Sequence, residues 1–204
     1  MASAVEVRNR ILEVARDQFF SLGFTKVTMD EIAHELGMSK RTLYQHFPGK
    51  KDLLRQALLN KAQRISEGLG NIIDGNQAHF GRKLEQALTF VATEMPHLSP
   101  IFLRDIQRHA PDVWQELDQR RQETIRTRFG KLIKEGIEAG FLRKDIEAEL
   151  LVFLFSTLVQ NVMSPETLSR LPLSASQAFA VISGVLFEGI LTDKGRAKSR
   201  EKES

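Results

Sequence analysis

The chain has 204 residues, enough for one large domain or two small ones, and its 42% hydrophobic and 27% charged content suits a globular protein. Its net charge of +3 is too small to prove a polyanionic partner, and the absence of cysteine excludes disulfides, thiol redox sensing and cysteine-ligated zinc. No N-terminal apolar run fits a signal peptide and no segment reaches roughly 18 consecutive apolar residues, so a cytoplasmic location and no membrane role are expected.

Apolar residues recur at spacings of three and four and alternating β-branched runs are missing, which predicts an all-α fold of about nine helices. The first covers about residues 4–22, with Ile11, Leu12, Ala15, Phe19 and Leu22 inward. Thr28 and Glu31 form a Thr-x-x-Glu capping box that opens a second, two-turn helix whose inward face is Ile32, Ala33 and Leu36. Gly37 ends it, because glycine takes the left-handed conformation that a helix C-terminus often needs. Ser39 caps a third helix, Leu43 and Phe47 point inward four residues apart, and Pro48-Gly49 stops it. Two short helices joined by a tight turn and packed under a first one make a helix-turn-helix unit.

The outward face of the third helix carries the chemistry. Arg41 and Gln45 share the side opposite Leu43, flanked by Lys40, Thr42, Tyr44 and His46, and no acid occurs from Met38 to Lys51. Arginine bonds bidentately to guanine and glutamine to adenine in the major groove of double-stranded DNA. The hydroxyls of Thr28, Ser39, Thr42 and Tyr44 suit phosphate oxygens, which set register. Lys50 and Lys51 open a fourth helix, where amides and ammonium groups together favour a phosphate. Residues 1–60 hold nine Lys/Arg and seven Asp/Glu, so the basic signal lies in this local cluster rather than in the domain total.

These residues carry a resemblance. Ile32-Ala33, Gly37-Met38-Ser39, Thr42-Leu43-Tyr44-Gln45-His46-Phe47 and Lys50, preceded by Ala15, Phe19-Phe20, Gly23-Phe24 and Thr28, resemble the N-terminal domain of the TetR/AcrR family of transcriptional regulators over roughly residues 8 to 55. Arg41 departs from it, since many relatives carry a small residue there, so no relative's operator transfers to this chain. The resemblance implies a homodimeric DNA-binding repressor whose second domain holds a small-molecule pocket.

Domain limits are expected at 1–50 for the DNA-binding unit, 51–192 for a helical regulatory and dimerisation domain, and 193–204 for a disordered tail of alternating charge. The fourth helix runs from Lys50 through Leu58 and Ile65, and Gly68, Gly70 and Gly75 are expected to loosen the chain around residues 68–76. Helices follow at about 77–95, before Pro96, at a short segment begun by Ser99-Pro100 and ended by Pro111, and at 112–139, closed by Gly140. Two more, at 145–163 and 174–191, are apolar on most sides and so need cover on most sides. In a domain this small a second copy is the natural cover, through Phe153, Leu154, Leu158, Val162, Phe179, Ile182, Leu186 and Phe187 in a four-helix bundle. A dimer also supplies the second recognition helix that a palindromic operator requires.

Phe90, Met95, Phe102, Trp114 and Phe129 are the candidate lining of an apolar effector pocket, with Arg104, Asp105, Arg108 and His109 as candidates for a ligand's polar end. The effector expected is lipophilic or aromatic, and the fourth helix is the expected lever between pocket and DNA. No enzyme is expected: the five histidines lack metal-ligand spacing among themselves, no glycine-rich phosphate loop occurs, and no metal or cofactor is implied. The rival reading is a helical protein-interaction module that has lost specific DNA binding.

Overall fold

The computed structural model describes residues 4–75, 79–95 and 97–200, and side chains as far as residue 196. These residues form eleven helical stretches and no strand. They are α1 (Ala4–Leu22), α2 (Met29–Glu35), α3 (Lys40–His46), α4 (Lys50–Asp74), α5 (Phe80–Glu94), α6 (Pro100–His109) and the continuous α7 (Pro111–Thr124), π-turn (Ile125–Phe129) and α8 (Gly130–Glu138). Then come α9 (Ala148–Val162), α10 (Pro165–Arg170), α11 (Ala175–Ile190) and α12 (Asp193–Arg200).

Two apolar cores organise the chain. Around the first, α1 buries Ile11, Ala15 and Phe19 against Ile32 of α2, Leu43 of α3 and Leu53, Leu54 and Leu58 of α4. This core does not stop at the expected boundary of residue 50: Phe102 and Ile106 of α6, then Ala110 and Val113, belong to it. Phe20 meets Phe102 edge-on at 5.0 Å, and the Ser99 amide donates to the Phe20 carbonyl at 3.0 Å. The approach is close at Gly23, where φ is +93° and a Cβ would lie 2.5 Å from Ile101 Cγ2. Any side chain there would push α6 away.

The second core holds the far end of α4 (Leu69, Ile73) with α5, α8, α9 and α11. Its centre is a ring cluster in which Phe155 meets Phe129 at 5.1 Å and Phe187 at 5.7 Å. Helix α4 therefore spans both cores, about 37 Å at 1.5 Å per residue. It does so without the break expected near Gly68 and Gly70. Both lie inside the helix, and a Cβ at Gly68 would fall 2.2 Å from Phe90 Cζ, so this glycine admits a ring rather than a bend.

Two further expectations change. Helix α10 fills the gap left between the helices expected at 145–163 and 174–191, capped by the Ser164 hydroxyl accepting from the Thr167 amide at 3.1 Å. The tail expected to be disordered from residue 193 is helical through Arg200, while residues 201–204 of that expectation lie outside the described residues, as does Pro96. Two of its cations have protein partners. Lys194 Nζ donates to the Ala139 carbonyl at 2.7 Å and Arg196 donates to the Leu191 carbonyl at 3.0 Å, satisfying the open ends of α8 and α11.

Candidate nucleic-acid interface

The helix-turn-helix forms by local chemistry. The Thr28 hydroxyl accepts from the Glu31 amide at 3.2 Å while the Glu31 carboxylate accepts from the Thr28 amide at 2.8 Å. Those Thr28 bonds hold the Glu31 carboxyl below its ordinary pKa. Gly37 has φ +66°, its amide donates to the His34 carbonyl, and the Met38 amide reaches the Ala33 carbonyl, both at 3.0 Å. This reciprocal closure turns the chain sharply enough for Ser39 to begin α3, its hydroxyl accepting from the Thr42 amide at 3.1 Å. At the other end Arg8 of α1 donates to the His46 carbonyl at 3.3 Å and stacks over the Phe47 ring at 4.5 Å. That cap from a residue 38 positions away has no local sequence signal.

With Leu43 buried completely, α3 projects Lys40, Arg41, Tyr44 and Gln45 into solvent, while Thr42 and His46 are half-buried beside them. Tyr44 is 42% exposed, so its ring is not part of the core. Arg41 makes no ion pair among the described residues. Lys40 does: its ammonium lies 2.8 Å from Asp30 of α2, whose carboxylate raises the Lys40 pKa. The patch that is acid-free in sequence thus receives one acid through the fold. Lys51 is likewise paired, with Asp112 of α7 at 2.7 Å.

Lys50 departs furthest from the expectation of a free phosphate ligand. Its ammonium turns inward, donating to the carbonyls of Val27 at 2.9 Å and Thr25 at 3.2 Å, and lies 4.6 Å from the centre of the Phe24 ring. Burial lowers its pKa, opposed by the charges of Asp105 and Glu31. The loop it grips is held from the other side by Asp105 of α6, whose carboxylate accepts from the Thr25 amide at 2.7 Å and from the Thr25 hydroxyl. Asp105 therefore anchors the reading head instead of facing an effector, and Arg104, Arg108 and His109 are not in the cavity wall.

An apolar cavity of about 120 Å³ lies between the two cores, walled by α1, α4, α5, α7, the π-turn, α9 and α11. Of the candidate lining residues, Met95, Trp114 and Phe129 reach its wall. Phe90 and Phe102 do not: the first is spent over Gly68 and the second is fully buried in the DNA-binding core. Arg121 and Lys61 also reach the wall, and neither had a sequence signal.

The expected dimer face divides in two. Phe153, Leu154 and Leu158 are exposed, Phe153 by 64%. Phe179, Ile182 and Phe187 are instead buried in the second core, with Val162 and Leu186 packed against it. On α11 the exposed apolar positions are Val181 and Val185, the latter 74% exposed. A helix apolar on every side gives no hydropathy contrast by which to tell its inner face from its outer one.

A capped three-helix reading head with an exposed Arg41-Tyr44-Gln45 face, joined to a helical body, defines a helix-turn-helix DNA-binding regulator. Residues 11–57 match the model of bacterial regulatory proteins of the tetR family. The transcriptional regulator YvaF of Bacillus subtilis is 25% identical over 82% of this chain and 87% of its own length. The transcriptional repressor KstR2 of Mycobacterium tuberculosis is 25% identical over 70% of this chain and 72% of its own. The fatty acid degradation regulator FadR from Bacillus halodurans shares the fold, with a TM-score of 0.66 and 12% identity over 93% of this chain and 97% of that one. Residues 11–57 thus resemble the DNA-binding domain of tetR-family regulators, and the chain as a whole shares the fold of such proteins.

Among the described residues no group of three or more His, Asp or Glu is placed to hold a metal ion, and no helix is long and apolar enough to cross a membrane.

Proposed function

We propose that this chain is a ligand-responsive repressor that binds a palindromic operator as a homodimer in the cytoplasm. The observation that carries the reading is the Arg41-Tyr44-Gln45 face, exposed on a helix capped at both ends and unpaired at Arg41. Arg41 and Gln45 read base edges; Thr28, Ser39, Thr42, Tyr44, Lys40 and His46 position the phosphate backbone. At α4 the phosphate meets the first-turn amides of Lys50 and Lys51, which Gly49 leaves without a side-chain cap, and the Lys50 ammonium braces the loop behind.

Residues 1–50 form the reading head and 51–192 the regulatory and dimerisation unit. Two copies pair through Phe153, Leu154, Leu158, Val181 and Val185, large apolar surfaces that a four-helix bundle would cover. The effector occupies the cavity at Trp114 and Phe129. Phe20 of α1 and Leu58 of α4 touch the same cavity, so an occupant presses directly on the elements that hold the reading heads. Repression is supported by the relative KstR2, which is itself named a repressor.

Selection from a pool of random duplexes at about 0.15 M salt tests the reading. A two-fold symmetric motif is the expected product. Binding that enriches no motif and whose log K does not fall with log salt would instead identify a protein-interaction module.

A further inference from the structure

We propose that the effector is a carboxylate carried on a ring-sized apolar body, and that Arg121 is its anchor; this rests on the reading of the cavity as an effector site.

Size comes first. About 120 Å³ is somewhat less than the ~150 Å³ of an apolar cavity that binds benzene, so a single ring or short branched chain is what fits. Charge comes second. Lys61 and Arg121 are the charged residues of the lining, and none of the lining residues is an acid. Lys61 is already neutralised by a hydrogen-bonded ion pair with Glu94. Arg121 is not so well served. Its Nη1 lies 3.3 Å from Asp118 Oδ1, yet both atoms lack a hydrogen bond, while Asp118 Oδ2 is taken by Gln122 Nε2 at 2.9 Å.

A guanidinium does not discharge at physiological pH, so an incompletely bonded one in an apolar wall keeps its charge and an unmet donor. Burial lowers the Arg121 pKa. A planar carboxylate supplies what is missing, because its two oxygens match the guanidinium fork. The Trp114 ring, 5.5 Å from the Arg121 charge centre, and Phe129 then flank the ligand's apolar body. The π-turn begins four residues beyond Arg121 and places Ile125 and Phe129 in the same wall; such turns recur at functional sites.

Trp114 is the chain's single tryptophan, so its fluorescence reports on this cavity. The full chain is titrated with benzoate and with benzyl alcohol, which keeps the ring and drops the charge, with calorimetry alongside. The acid should bind at least about tenfold more tightly than the alcohol, and R121L should bring the two within about twofold. K61M should leave the acid's advantage in place. Equal binding of acid and alcohol by the native chain overturns the carboxylate and leaves the effector site standing. Loss of the advantage in K61M but not in R121L overturns Arg121 as the anchor. Failure of both compounds to bind or to change Trp114 emission overturns the effector site at this cavity. If R121L does not fold, R121K decides: it keeps the charge but loses the fork, and should lose most of the preference.

Discussion

Replacing Lys50 by methionine separates two roles that a lysine at this position could play. Methionine keeps an unbranched apolar stem and removes the ammonium, so the packing of the stem survives and only charge and donors are lost. In this fold the ammonium makes hydrogen bonds to the Val27 and Thr25 carbonyls, at 2.9 and 3.2 Å, and a contact with the Phe24 ring. A hydrogen bond to a charged group contributes about 1.5–3 kcal/mol when buried. Lys50 is only half-buried and both bonds share one ammonium, so the net loss on K50M is about 2–3 kcal/mol. For a chain of this size that lowers Tm by roughly 4–12 °C. If the ammonium braces the loop, the slope of log K against log salt for random DNA should stay unchanged. Thermal unfolding and salt titration on the same preparation check both arms. A Tm that does not move, with a slope shallower by about 0.9, would mean that the ammonium neutralises a phosphate, and the brace would be refuted.

Further outcomes follow from the same geometry. R41A should relax discrimination at one or two base pairs at a cost of roughly 1–3 kcal/mol, measured as the ratio of operator to mutated-operator affinity; an equal loss on every sequence would place Arg41 on phosphate alone. D105N should lower Tm near neutral pH, and its gap from the native chain should close in acid. Burial tends to raise the Asp105 pKa, but the Thr25 bonds outweigh it and the net shift is downward. Its contribution is therefore present above about pH 4 and lost as pH falls through the lowered value, so a gap constant from pH 6 to pH 3 would refute the assignment. V185E should shift the chain from dimer to monomer in sedimentation at micromolar concentration, because it places a charge in the proposed four-helix contact. F187A should instead lower Tm, by about 3–5 kcal/mol of stability, since Phe187 is a core ring.

What the sequence alone determined is the reading head. Its signals are local: Thr28 to Glu31, Ser39 to Thr42 and the left-handed Gly37 each act across three or four residues. Capping chemistry over that range is written in the chain itself. The all-helical class was legible for the same reason, because the 3.6-residue period is also local. Tertiary structure decided whatever depends on who lies across the gap. It turned the Lys50 ammonium toward carbonyls 23 and 25 residues earlier and brought Asp30 to Lys40. It put Phe102 in the first core rather than the cavity, and it set Arg121 in the cavity wall without a completed hydrogen bond to Asp118. It also chose the outer face of α9 and α11, where Phe153 and Val185 are exposed while Phe155 and Phe187 are buried. Hydropathy states how much apolar surface a helix must hide; only the packed neighbours state on which side.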